Sequence, residues 1–239
     1  MYFENRESTR LTPNFVLTTM RNLKQKFQEA PKHSYKPRPL PFRTPLNGIS
    51  DRAVKNHHDK LYAGYVTKKN EIEDRLEELG RALVAGKTDG GNTTYSELRS
   101  LKDEETYAVN GVYLHEWYFE VLGGDGMLEN ARELVEALTA SYGSVEAFVK
   151  YFSECAMSAR GWTVLAWDTR ESRLWIYNAD AHNQGGVWGA LPIIVLDVYE
   201  HAYFMDYGAD RKAYLKVFWK NFNWSKANDL FKRACLIRL

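Results

Sequence analysis

A carboxylate and an imidazole stand four residues apart at Asp197 and His201, directly after the apolar run 191–196. On a helix, residues four apart face the same way, so these two side chains could share one metal ion. The spacing alone is weak, because Asp and His at this separation also form ordinary surface pairs. A metal site therefore requires further ligands among the six histidines of the chain.

Two more histidines stand among apolar and aromatic neighbours, His57 near Val54 and His115 near Tyr118. One interpretation is that each is a core histidine satisfied by its own hydrogen bond. The alternative is a shared partner, because burying three histidines and an aspartate separately in one small chain would cost much free energy. One metal ion would satisfy all four side chains, and both interpretations stay open at this point.

Three blocks of residues follow one another in a specific order. They are His57-His58-Asp-Lys-Leu-Tyr-Ala-Gly-Tyr65, Gly111-Val-Tyr-Leu-His115 and Asp197-Val-Tyr-Glu-His-Ala-Tyr-Phe-Met-Asp-Tyr207. Together with Gly161-Trp162 and the apolar segments after it, these blocks resemble the iron/manganese superoxide dismutase family. The agreement in order and separation extends from about Pro39 to Phe231.

The resemblance implies a ligand set and an activity. His57, His115, Asp197 and His201 would hold one iron or manganese ion per chain. Three imidazoles and one carboxylate suit a redox-active first-row metal, and because zinc could bind the same set, the ligands do not identify the metal. The implied reaction is the conversion of superoxide, the substrate, to oxygen and hydrogen peroxide.

Two catalytic residues beside the metal are also implied by the resemblance. Tyr65 matches the family's tyrosine at the mouth of the substrate channel. His182 falls where relatives place a Gln or His that bonds the metal's solvent molecule, and Gly111 leaves space where many iron enzymes carry that Gln instead. The alternatives are a core tyrosine at position 65 and a loop histidine in water at position 182.

The same resemblance implies the surroundings of the site. Trp162 would form a wall of the metal pocket. Glu200 would cross an interface to bond the partner's His201, which implies a homodimer or homotetramer. Such a carboxylate would orient the ligand ring through a hydrogen bond.

Four positions depart from the family pattern, and one of them is Tyr62, which stands where relatives have a histidine next to the channel histidine. Leu61 stands where many relatives have a channel histidine, Phe204 where the usual residue is a tyrosine, and Tyr199 where it is a tryptophan. Leu61, Tyr199 and Phe204, together with the extra N-terminal segment, favour a second hypothesis. In it, a metalloprotein with the superoxide dismutase fold performs another redox reaction, of the oxidase type, with little dismutase activity. A third hypothesis, a structural protein without metal, would make the four ligand candidates coincidental.

The elements that must position these residues follow from the apolar periodicity. The pattern predicts an α+β fold, with an N-terminal helical hairpin domain and a C-terminal domain of helices around a small three-stranded antiparallel sheet. Predicted helices begin at Ser50-Asp51 and cover 104–122, 127–141 and 144–159, and helical spacing returns from Val198. The predicted strands cover 162–167, 173–177 and 191–196.

The predicted boundaries divide the chain into 1–38, an N-terminal extension and proline-rich arm, 39–124, the hairpin domain, and 125–239, the α+β domain. Within the extension, Thr12-Pro13 could open an amphipathic helix that reaches Phe27. Five of the seven prolines fall within 31–46, which predicts an extended segment there.

Composition argues against several classes of protein. Lys and Arg number 32 and Asp and Glu 31, and a net charge of +1 gives no support for nucleic-acid or membrane-surface binding. The longest apolar stretch, 189–196, is far shorter than the roughly 20 residues that cross a bilayer. The first 30 residues contain three glutamates and no apolar core, so we expect no secretory signal. With only two cysteines, the sequence predicts an intracellular protein, in the cytoplasm or in the matrix of a mitochondrion or other organelle.

Overall fold

The structure is a computed structural model that describes residues 34–88 and 90–237. The chain divides into two units, Met1–Ser34 and Tyr35–Leu239. The second unit carries every metal-ligand candidate. The helix predicted to open at Thr12 lies outside the described residues.

Two long helical segments form the hairpin. Ser50 caps α1 (Asp51–Lys55) as predicted, because its Oγ accepts a hydrogen bond from the Ala53 backbone N–H at 3.2 Å. Helix α1 continues into a π-helix (Asn56–Tyr62) and then into α2 (Ala63–Val84). Helix α3 (Glu97–Glu120) packs along α2.

Helix α3 begins seven residues before the predicted start at position 104. Ser96 is its N-cap, and the Ser96 Oγ accepts a hydrogen bond from the Arg99 N–H at 3.1 Å. The early part of α3 is mostly polar, so apolar periodicity alone did not reveal it.

Two shorter helices follow, α4 (Arg132–Tyr142) and α5 (Val145–Ser158). The predicted start of α4 at position 127 is wrong, because Asn130 has a φ of 61° and the chain turns there. Ser144 caps α5 as predicted, with its Oγ accepting from the Ala147 N–H at 3.1 Å.

The predicted sheet is confirmed. Strands β1 (Trp162–Asp168), β2 (Arg173–Ala179) and β3 (Ala190–Asp197) form an antiparallel sheet in the order β2-β1-β3. In the register of β1 with β3, Trp162 lies opposite Asp197. This pairing brings the first residue of one strand and the last residue of another to the same edge of the sheet.

The chain after β3 differs from the expected helix. Asp197 is the last residue of β3, and His201 lies in a short 3-10 helix (Glu200–Ala202). The expectation that both side chains share one helix face is therefore wrong. Helices α6 (Phe204–Tyr207), α7 (Arg211–Lys220) and α8 (Trp224–Ala234) complete the described fold.

One buried cluster joins the helices to the sheet. Its fully buried members include Leu134, Phe148, Phe152, Leu165 and Phe218, which come from α4, α5, β1 and α7. The α+β class predicted from the sequence is confirmed. Among the described residues, no helix is both long enough and apolar enough to span a membrane.

Candidate metal centre

Four side chains converge at one point in the interior. The Oδ2 atom of Asp197 lies 3.0 Å from Nε2 of His57, 3.1 Å from Nε2 of His201 and 3.6 Å from Nε2 of His115. One donor atom from each residue lies within 4.8 Å of all the others. His57, His115 and Asp197 are buried, and the His201 side chain is 24% exposed.

Each of the four comes from a different element. His57 lies on the π-helix, His115 on α3, Asp197 at the end of β3 and His201 in the 3-10 helix. The Asp197 Oδ1 accepts a hydrogen bond from the Tyr199 N–H at 2.9 Å, which stabilises the turn that brings His201 back towards Asp197. The two residues therefore meet across a turn rather than along a helix.

The π-helix was not predicted from the sequence. The apolar spacing from Val54 through Leu61 also fits an ordinary α-helix, so nothing in the pattern marked the wider turn. π-Helical segments are rare in proteins, but those that exist are often found at functional sites. Here the π-helix carries His57.

The states of His57, His115 and Asp197 suit a bound cation, whereas the charge of Asp197 and its hydrogen bond raise the pKa of His201 against the effect of burial. Nδ1 of His115 donates to the Gly111 carbonyl, so the lone pair is assigned to Nε2, which is buried and has no hydrogen-bond partner among the described residues. Burial lowers the pKa of His57 and that of His115, so both rings are neutral. Burial opposes ionisation of Asp197, but the neighbouring His201 and His57 rings outweigh it and hold the pKa of that carboxyl well below its usual value.

These donors are the ones that a first-row transition metal binds. Neutral imidazole nitrogens and one carboxylate oxygen suit iron, manganese or zinc. A buried Nε2 without a partner would otherwise lose hydration without compensation. The arrangement therefore fits a metal ion bound by His57, His115, Asp197 and His201.

His182 is buried beside this cluster. Its side chain accepts a hydrogen bond at Nδ1 from the Trp162 indole Nε1–H at 2.8 Å, and the residue is 1% exposed. Burial lowers the pKa of His182 to about 4, so the ring is neutral and its proton lies on Nε2. The alternative of a loop histidine in water is wrong for this residue.

Tyr65 lies against His182 and His115. Its ring centroid is 4.7 Å from that of His182 and 5.4 Å from that of His115. A Cβ at Gly111 would lie 2.8 Å from Cδ1 of Tyr65, so the space left by that glycine is taken by the tyrosine ring. Burial and the neighbouring Tyr107 raise the pKa of Tyr65, which keeps its hydroxyl protonated.

Four other positions that the family resemblance singled out differ in how deeply they are buried. Trp162 is fully buried, with its ring centroid 5.0 Å from that of His115 in an edge-on arrangement. The Tyr199 ring stacks on the His201 ring at 5.2 Å and 14°. Leu61 is half-buried, and Phe204 is 54% exposed.

Two buried tyrosines that were not predicted as site residues contact the ligand candidates Asp197 and His57. The Tyr214 hydroxyl donates to the Asp197 backbone carbonyl at 2.9 Å, and the Tyr118 and Tyr214 hydroxyls are 3.0 Å apart. The Tyr118 ring also lies 5.3 Å from the His57 ring. Because these partners are distant in sequence, no local pattern separates the two tyrosines from ordinary core residues.

Comparisons with known proteins find relatives that are similar over most of the chain. Residues 130–230 match the family model described as iron/manganese superoxide dismutases, C-terminal domain. An iron superoxide dismutase of Aquifex pyrophilus is 39% identical over 189 residues, which cover 79% of this chain and 87% of the relative. An iron superoxide dismutase of Cupriavidus metallidurans is 35% identical, with 79% and 91% covered. A manganese superoxide dismutase of Haloferax volcanii is 31% identical, with 84% and 97% covered.

Proposed function

The chain belongs to the iron/manganese superoxide dismutase family, and from this premise we propose that it converts superoxide to oxygen and hydrogen peroxide. We propose His57, His115, Asp197 and His201 as the ligands of one iron or manganese ion per chain. The observation that carries the proposal is the convergence of these four donor atoms within 4.8 Å. Relatives named for either metal match the chain, which supports both ions.

The bound ion would supply one-electron chemistry, in which two superoxide ions and two protons yield one oxygen molecule and one hydrogen peroxide. The protein holds the ligand rings in place for this reaction. The Gly111 carbonyl fixes the orientation of His115, and the Tyr199 N–H and the Tyr214 hydroxyl fix Asp197 from two sides.

We assign the handling of protons to Tyr65 and His182. The Tyr65 hydroxyl stays protonated, and the neutral His182 ring carries its proton on the buried Nε2. Their rings are in edge-to-face contact beside His115. Two neutral donors next to the site can hold hydrogen bonds to a small anion without adding a competing charge.

We further propose a homodimer whose interface lies next to His201; a homotetramer would contain the same contact. Glu200 is exposed, and the neighbouring Phe204 and Met205 are 54% and 42% exposed. Large apolar side chains exposed together are typical of an interaction surface. In that dimer, Glu200 would bond the partner's His201.

A second candidate function is the oxidase-type reaction. A groove of about 690 Å³ is lined on one side by His182, with Leu114, Val164 and Pro192 among its apolar walls. A groove of this size could admit an organic substrate. Oxygen consumption that depends on an added organic reductant would support this function, and none across a panel of phenols, amines and thiols would argue against it.

The dismutase proposal is tested by His115→Ala, with His58→Ala as the control. Removal of the His115 imidazole should abolish both metal retention and dismutation, because Nε2 of this residue faces the carboxylate of Asp197. His58 is the adjacent histidine to His57 and bonds the Arg38 carbonyl instead, so its variant should retain one metal ion per chain. Full metal retention in His115→Ala would contradict the proposed ligand set.

A further inference from the structure

A second buried carboxylate follows the ligand candidate His115 directly. Glu116 is 9% exposed. Its Oε1 accepts hydrogen bonds from the hydroxyls of Tyr62 and Tyr35, each at 2.8 Å. Its Oε2 lies 3.0 Å from the Tyr35 hydroxyl and 3.2 Å from Nε of Arg38. The charge of this carboxylate is therefore fully compensated, although none of its partners takes part in the metal site.

Tyr62 connects Glu116 to the other side of the hairpin. It is the last residue of the π-helix that carries His57, and it is fully buried. Its hydroxyl donates to Glu116 and accepts from the Arg38 backbone N–H at 2.8 Å. Tyr62 and Glu116 thus join the element of His57 to the helix of His115 at a place one residue away from His115.

The π-helix sets the direction of the His57 side chain relative to that of Tyr62. One extra residue in a helical turn rotates the side chains before it relative to those after it by about 100°, the angle per residue of an α-helix. His57 near the start of the segment faces Asp197, and Tyr62 at its end faces Glu116. If the segment rewound into a regular α-helix, His57 and Tyr62 could not both keep these partners.

We propose that Tyr62 and Glu116 form a positioning pair that maintains the π-helix and thereby the approach of the His57 Nε2 to the other three ligand atoms. The inference rests on the proposed metal site. It predicts that the pair controls how tightly the ion is held and how its ligands are arranged. Tyr62 and Glu116 act through the position of His57 rather than by binding the ion themselves.

The test compares Tyr62→Phe with Tyr35→Phe in the iron-loaded full-length protein. Each variant removes one phenol hydroxyl from the same carboxylate, but Tyr35 lies outside both ligand-bearing helices. The readouts are the rate of iron release to a chelator and the electron paramagnetic resonance spectrum of the ferric protein. The thermal midpoint of each metal-free variant serves as the measure of general stability.

Tyr62→Phe should release iron on the order of tenfold faster than the parent protein, the factor that loss of one buried hydrogen bond corresponds to. Its ferric spectrum should change, because the position of His57 changes. Tyr35→Phe should keep the parent spectrum and a release rate within about twofold, a range typical of a contact that does not reach the site. Equal release rates and unchanged spectra in both variants would overturn the inference.

Glu116→Gln provides a second variant should Tyr62→Phe fail to fold. The amide keeps an oxygen acceptor for the Tyr62 hydroxyl but loses the charge opposite Arg38. A parent-like ferric spectrum is expected in Glu116→Gln, and an altered spectrum in Glu116→Ala. Parent-like spectra in both would overturn the inference. A parent protein that binds neither iron nor manganese would refute the proposed function itself, whereas normal loading with unchanged release in Tyr62→Phe would refute only the positioning pair.

Discussion

The indole Nε1–H of Trp162 donates a hydrogen bond to Nδ1 of His182 at 2.8 Å, with both side chains buried. Trp162 is the first residue of β1 and lies opposite Asp197 in the sheet. The sheet that ends at one ligand candidate therefore also fixes the tautomer of His182. Its proton must lie on Nε2, which has no partner among the described residues.

Trp162→Phe should lower dismutase activity while one metal ion per chain is retained. The Phe ring cannot donate to Nδ1, so both tautomers of His182 become accessible, and we expect a loss on the order of tenfold from removal of one hydrogen bond. The measurement is the rate of superoxide decay per bound metal. Trp175→Phe is the control, because Trp175 is 45% exposed on β2. Full activity in Trp162→Phe would show that this hydrogen bond has no role in catalysis.

Gly111→Ala should displace the Tyr65 ring, because the new Cβ would lie 2.8 Å from its Cδ1. We expect lower activity with the metal still bound, since the substitution keeps the backbone carbonyl of residue 111 that bonds His115. Gly80→Ala on α2 is the matched control. Its Cβ would meet no atom within 4 Å, and the exchange should stabilise the helix by about 0.5–1 kcal/mol. Equal activity in both variants would mean that Tyr65 needs no fixed position.

The ligand candidates could be predicted from the sequence better than the geometry that joins them. His57, His115, Asp197 and His201 do meet as the motif order implied, and the three strands and the Ser50 and Ser144 caps are confirmed. The arrangement of Asp197 and His201 across a turn could not be predicted. Two side chains four residues apart can meet either on one helix face or across the turn that follows a strand. The π-helix could not be predicted from the apolar periodicity, because its apolar positions also fit an α-helix.

Long-range partners account for most of what the sequence could not reveal. Glu116 and Tyr62 are 54 positions apart, and Tyr214 bonds a backbone carbonyl of Asp197 rather than a side chain. The first contact depends on packing within the hairpin and the second on packing of α7 against the end of β3, and no local pattern of residue types encodes either. The proposed roles of Tyr65 and His182 remain predictions that the variants above address.

Tyr214→Phe should destabilise the protein by about 1–3 kcal/mol, the cost of leaving buried polar groups without partners. The change removes the donor to the Asp197 carbonyl and the acceptor of the Tyr118 hydroxyl. Urea unfolding of the metal-loaded protein measures the free energy of unfolding. Tyr95→Phe is the control, because Tyr95 is 83% exposed and its loss should change stability by less than about 0.5 kcal/mol. A Tyr214→Phe protein as stable as the control would contradict the importance of this contact.

Phe204→Lys should shift the protein from dimer to monomer. The side chain is 54% exposed in the single chain, and a lysine there would place an unpaired charge in the proposed interface. Light scattering during gel filtration should give a mass of twice 27.7 kDa for the parent and a single-chain mass for the variant. Val84→Lys, at a residue 93% exposed at the end of α2, should leave the dimer intact. A monomeric parent protein would refute the proposed interface.

We propose that the four converging side chains hold a metal ion that dismutates superoxide. The most direct measurement follows superoxide absorbance after rapid mixing, on protein whose iron and manganese contents have been quantified. We expect fast decay whose rate is proportional to the bound iron or manganese and is absent in the metal-free protein. A protein loaded with one ion per chain that leaves superoxide to decay at the uncatalysed rate would contradict the claim.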